Sequence, residues 1–116
     1  MTTYNISIQN PKEIPWLDLM ELREKTYEGR LNRGVYSKMM IGDSIIFKDQ
    51  NNKILHTHII DLKYYLNFGE AFLDLGRKLV PVEGVDVDGV KKLYSNYFSE
   101  DNIKLHGVVA IGIIFS

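Results

Sequence analysis

Near the C-terminus, from Gly107 to Phe115, the chain carries nothing but Gly, Val, Ala, Ile and Phe. A membrane-spanning helix needs about 20 mostly apolar residues, so this run is too short to cross a bilayer. Its β-branched side chains favour extended backbone, and it reads as a central strand. The rest of the chain must therefore supply a sheet around it.

Tyr4, Ile6 and Ile8 alternate with Asn5, Ser7 and Gln9, the period of a strand with one buried face, and residues 3 to 8 are expected to form the first strand. Asn10-Pro11 followed by Glu13 reads as a helix start with Asn10 as N-cap. Pro15 lacks the N–H that would bond back to residue 11, so the main helix is expected from Pro15 to about Glu24. Tyr27 to Leu31 suits a short strand, residues 32 to 41 a long loop with one helical turn around Ser37 to Met40. Ser44 to Lys48 and Ile54 to Leu62, joined by Asp49-Gln50-Asn51-Asn52, read as a hairpin.

Phe68, Ala71, Phe72 and Leu75 fall at helical spacing and stop at Gly76, giving a helix over about 66 to 75. After the linker Arg77 to Gly84, the residues Val87, Val90, Leu93, Tyr94 and Tyr97 share one helical face, with Asp86 or Asp88 near the positive end of the dipole. The expected order is strand, helix, strand, loop, two strands, two helices, strand.

At 116 residues, with 45% hydrophobic and 25% charged residues, the chain has the size and composition of one globular domain spanning 1–116. A domain of this size buries roughly two-thirds of its unfolded surface, enough for a single core. The absence of cysteine removes disulfides, thiolate metal sites and thiol nucleophiles. Neither a basic n-region with an apolar h-region nor a transmembrane stretch is present, so a cytoplasmic protein is expected. A net charge of −1 argues against a general polyanion binder. Residues 23 to 38 are nevertheless locally basic, with Arg23, Lys25, Arg30, Arg33 and Lys38 against Glu24 and Glu28.

Several short strings occur in a telling order: Glu24-Lys25-Thr26, then Glu28-x-Arg30, then Gly42-Asp43-x-Ile45-Ile46-Phe47, then Val90-Lys91-Lys92-Leu93-Tyr94, and finally Gly107-Val108-Val109-Ala110-Ile111. Together they resemble the ASCH domain, a relative of the PUA RNA-binding modules, over nearly the whole chain. The resemblance implies an α+β fold: a small, mixed, partly open β-barrel of five to six strands with flanking helices, and a cleft beside the Lys-Thr-x-Glu-x-Arg segment. It also implies RNA or a nucleoside or nucleotide as ligand, with no cofactor. One branch of the family hydrolyses the acetyl amide of an acetylated cytidine, and another is reported to cut RNA.

In that frame Lys25 corresponds to the motif lysine, catalytic in the amidohydrolase branch; by itself, a lysine at a helix end is usually a solvated charge. Glu28 and Arg30, two apart in a strand, project to one face, either as an ordinary ion pair or as an acceptor and a donor fork for a ligand. Glu28 stands where the hydrolases carry a threonine, and Thr26 lies two positions earlier. Glu83 falls near the family's acidic catalytic position. Arg33 and Tyr36 complete the expected binding set, Tyr36 as the loop aromatic best placed to stack on a base, with Tyr27, Tyr64 and Tyr65 behind it.

His56 and His58 share a strand face at a spacing that can chelate a metal, but no third ligand accompanies them and no metal site is expected. The leading expectation is a module binding RNA or a modified nucleotide. The alternatives are an acetylcytidine amidohydrolase with Lys25 as base, Glu83 as orienter and Thr26 or a water held by Glu28 as attacker, and an interaction domain without a small ligand.

Overall fold

The structure, a computed structural model, describes residues 1–9 and 14–115. The Asn10 cap with its Glu13 partner lies outside the described residues. Five strands form one mixed sheet: β1 (Thr3–Ile8), β2 (Tyr27–Leu31), β3 (Ser44–Asp49), β4 (Ile54–Tyr65) and β5 (Val108–Phe115), in the spatial order β1-β3-β4-β5-β2. Only β1 with β3 is parallel; the other neighbours are antiparallel. The apolar run is an interior strand, paired on one side to β4 and on the other to β2, and is buried from Val108 to Ile113.

The sheet curls into a half-barrel. A register shift between Ile59 and Asp61 in β4, where Ile60 is half exposed, marks a bulge, and such bulges bend a strand and increase its twist. Long β4 can thus pair with β3 through its first half and with β5 through most of its length. Inside the curl lie Ile45, Phe47, Ile59, Val109 and Ile111, each at most 1% exposed, whereas Leu31, paired with Val108, is buried on the other face. The alternation of β1 places Ile6 and Ile8 inward, as its sequence pattern requires.

Among the described residues four α-helices flank the sheet: α1 (Trp16–Glu21), α2 (Phe68–Leu75), α3 (Val87–Tyr94) and α4 (Glu100–His106). Asn67 caps α2 by accepting from the Glu70 amide at 2.9 Å, and Asp86, rather than Asp88, caps α3 through the Gly89 amide at 2.8 Å. The architecture is the expected α+β one, with five strands among the described residues. Local readings change: helix α1 ends at Glu21 instead of about Glu24, α3 ends at Tyr94, short of Tyr97, the turn expected around Ser37 to Met40 lies over Gly34–Lys38, β4 runs to Tyr65 instead of Leu62, and α4 has no counterpart in the expected order.

The early end of α1 shapes the site. Arg23 takes a left-handed conformation with φ 62, and the amides of Glu24 and Lys25 both donate back to the Leu19 carbonyl, at 3.0 and 3.1 Å. A left-handed residue just past the last turn reverses the chain, a place usually given to glycine. Lys25 is therefore turned into the protein, not left on a helix end in solvent.

Candidate functional site

β2 leaves that turn pinned on both sides. The Thr26 amide donates to the Lys78 carbonyl at 2.9 Å, and the Thr26 carbonyl accepts from the Ile113 amide at 3.0 Å. Beyond it, Glu28 and Arg30 lie together as their spacing predicts, with Arg30 Nη2 at 3.2 Å from Glu28 Oε2. Lys25 Nζ stands 3.6 Å from the other carboxylate oxygen, 5.0 Å from the centre of the Trp16 ring, and donates to the Leu79 carbonyl. One carboxylate is thus held between two cations.

Lys25 is 2% exposed, which overturns its reading as a solvated charge. Burial pulls its pKa below the ordinary lysine value; the Glu28 carboxylate opposes that shift, and the Arg30 charge adds to it. For Arg30, burial also works against the charge, but Glu28 and Tyr36 more than offset it. Tyr94 is pushed far up by burial first and by the neighbouring Glu28 carboxylate second, so its hydroxyl stays neutral.

β1 and β2 are the two edges of the half-barrel, and the site lies on the seam between them. Arg30 Nη2 reaches the carbonyl of Ser7 on β1 at 3.4 Å. Around this bridge opens a cavity of about 250 Å³, lined by Ser7 to Gln9, Trp16, Glu28 to Arg30, Tyr94, Tyr97 and Phe98. Such a pocket, mostly apolar and aromatic with a carboxylate and a guanidinium fork among its few polar groups, has the makeup of a small-molecule site. Gly29 sits at its back: a Cβ there would come within 3.2 Å of the Tyr94 hydroxyl and of Phe68 Cε1.

The other expected residues take different places. Tyr36 is half-buried in a 3-10 turn over Gly34–Lys38; its hydroxyl accepts from Arg30 Nη1 at 2.9 Å, and its ring lies 5.3 Å from the guanidinium. It steadies Arg30 and does not line the cavity. Arg33 is exposed just before that turn. The locally basic stretch is not one patch, because Lys25 and Arg30 are turned inward onto Glu28 while Arg23, Arg33 and Lys38 face solvent.

Glu83 is 94% exposed in its side chain and pairs with Arg77 at 2.9 Å, so it does not converge with Lys25 and Glu28. Its register depended on where the late helix begins, and Val82 to Val85 form a surface turn before α3. His58 Nδ1 meets Ser44 Oγ at 2.9 Å, and the described residues contain no cluster of three metal-ligating side chains. Tyr27 donates to Asp61 at 2.5 Å, joining β2 to β4, and Tyr65 to Asp74 at 2.6 Å, joining β4 to α2.

The residues missed by sequence reasoning are the aromatic walls: Trp16, Tyr97 and Phe98, together with the β1 backbone. The cluster Tyr94, Tyr97, Phe98 after α3 was a visible signal. What it faced depends on the curl of the sheet.

Two solved structures share this fold over almost their whole length. The crystal structure of hypothetical protein PH0355 matches with a TM-score of 0.85 and 25% identity, covering 99% of this chain and 100% of that one. The solution NMR structure of protein PF0455 from Pyrococcus furiosus matches with a TM-score of 0.73 and 25% identity, over 97% of this chain and 96% of that one. No protein-family model matches the chain, and no curated protein does.

Proposed function

We propose that this chain is a PUA-like, ASCH-type module whose seam cavity binds one base of RNA or of a modified nucleoside. The observation that carries the reading is the Glu28–Arg30 pair set into a small, aromatic-walled opening between the two edge strands. A carboxylate acceptor beside a guanidinium fork matches the mixed donors and acceptors of a base edge. Trp16, Tyr97 and Phe98 offer rings on which a flat heterocycle can stack. Lys25 stands behind the pair and holds Glu28 from the side away from Arg30.

Calorimetric titration with nucleosides, acetylated cytidine among them, and with short RNAs tests this. Arg30→Ala and Glu28→Gln are each expected to weaken binding roughly 10- to 100-fold, as loss of a hydrogen bond to a charged group costs about 1.5–3 kcal/mol. Absence of binding by every nucleoside and RNA, or binding indifferent to both substitutions, removes the proposal.

One observation favours a second reading, hydrolysis of an acylated cytidine. Burial lowers the pKa of Lys25, the direction a lysine base requires, although the Glu28 carboxylate 3.6 Å away opposes it. With Glu83 turned to solvent and paired with Arg77, that reading loses its expected orienter, and Glu28 is the carboxylate left beside Lys25. Incubation with acetylated cytidine that releases neither cytidine nor acetate disposes of it.

A further inference from the structure

A cavity larger than the seam cavity lies outside it. It measures about 580 Å³ and opens where the start of α2, the end of α3 and α4 meet. Its rim carries Lys91, Lys92 and Lys104 against a single acid, Glu100, and its floor is aromatic, from Phe68 and Phe98. None of the three lysines forms an ion pair among the described residues, whereas Lys25, Lys53 and Lys63 all do. The stem of Lys91 crosses Gly69, where a Cβ would come within 2.5 Å of Lys91 Cε, so that glycine keeps the lysine at the cavity edge.

The two cavities are joined by their rings. Phe98 lines both. Phe68, on the floor of the larger one, stacks on Tyr94 of the seam cavity with centroids 3.9 Å apart and planes 8° from parallel, and on Phe98 at 5.5 Å and 12°. A ligand spanning both must therefore offer flat groups near the rings and repeated negative charge along the lysines. A single nucleic-acid strand has that alternation, with bases that stack on aromatic rings and phosphates that pair with ammonium groups.

We propose that the α2–α3–α4 cavity is a second subsite for the same strand, taking the nucleotide adjacent to the one in the seam, with Lys91, Lys92 and Lys104 on its phosphates and Phe98 as the shared wall. This rests on the seam being a base site. It turns a one-base pocket into a binder of short single strands.

The test compares a nucleoside with a labelled pool of single-stranded hexanucleotides, RNA and DNA, at several salt concentrations. It uses the parent chain, the triple variant Lys91→Gln/Lys92→Gln/Lys104→Gln, and Arg30→Ala. All three lysines are exposed, so the triple variant is expected to keep the parent's circular dichroism spectrum and nucleoside affinity. Its oligonucleotide affinity should fall, and the slope of log affinity against log salt should drop by about 1.4, at roughly 0.7 for each of the two phosphates flanking the nucleotide in the subsite. Oligonucleotides that bind the parent no more tightly than the nucleoside, or the triple variant with the parent's salt slope, overturn the second subsite and leave the seam reading intact. Oligonucleotide binding that needs the lysines but ignores Arg30→Ala overturns the shared path. If the parent binds neither nucleoside nor oligonucleotide, the seam reading fails and the subsite with it.

Discussion

The ammonium group of Lys25 donates to the main-chain carbonyl of Leu79 while standing 3.6 Å from the Glu28 carboxylate, in a side chain 1% exposed. These acceptors replace the water it has lost. Lys25→Met fills a similar volume but leaves the Leu79 carbonyl without its donor. An orphaned buried acceptor costs about 1–3 kcal/mol, so the variant's urea midpoint should fall at an unchanged m-value. A midpoint equal to the parent's would mean that these contacts contribute no net stability.

The same burial gives stability a pH dependence of known sign. Lys25 has a lower pKa folded than its ordinary 10.5, so between those two values the unfolded chain holds more protons than the folded one. Stability therefore rises with pH through that interval, and its cost to folding is greatest below it. The stability of the parent relative to Lys25→Met should increase as pH climbs toward 10.5. Tyr27 acts the other way: burial and its bond to Asp61 raise it to about 12, so its contribution is complete below pH 10 and is lost as pH approaches 12. A parent-minus-variant difference that stays flat or shrinks toward pH 10.5 contradicts the assignment to Lys25.

Gly29→Ala tests the packing behind the seam. The new methyl would sit 3.2 Å from Phe68 Cε1, 3.2 Å from the Tyr94 hydroxyl and 3.3 Å from Leu79 Cδ1, tighter than ordinary contact on three sides. Overpacking of this kind costs typically about 1–3 kcal/mol. A thermal midpoint lowered by several degrees is expected, and one equal to or above the parent's would show that the three neighbours yield freely.

Tyr36→Phe separates positioning from contact. The substitution removes the 2.9 Å bond from Arg30 Nη1 but keeps the ring beneath the guanidinium. Losing one such bond is worth about 1 kcal/mol, or roughly fivefold in affinity for a nucleoside, with no loss of overall fold. Affinity unchanged by Tyr36→Phe would show that Glu28 and the Ser7 carbonyl suffice to hold Arg30.

The strands were legible because each announces itself locally: alternation in β1, turn residues between β3 and β4, an apolar run in β5. Helix α4 was missed because its seven residues bury no side chain completely, so no apolar period marks it. Its local signals were present all the same, in Ser99 accepting from the Asn102 amide at 3.2 Å, two acids in the first turn, and Gly107 after the last. The pairing of Glu28 with Arg30 followed from a spacing of two, whereas the burial of Lys25 did not. That depends on Arg23 reversing the chain and on Leu79 arriving from beyond α2, facts about the assembled molecule. Glu83 failed for the same reason, since only the fold decides which way a residue in a surface turn faces.

Strand β5 is the only sheet partner of β2 among the described residues, Tyr27 facing Gly112 and Leu31 facing Val108. A ribosome makes β2 long before it makes β5. Until then the strand bearing Glu28 and Arg30 has nowhere to dock, and pairings so distant in sequence are slow to form. A nascent or truncated chain stopping short of Gly107 would carry every seam residue from Ser7 to Phe98 and still hold no assembled site. Synthesis of β5 is thus a condition for β2, and with it Glu28 and Arg30, to be held in the sheet.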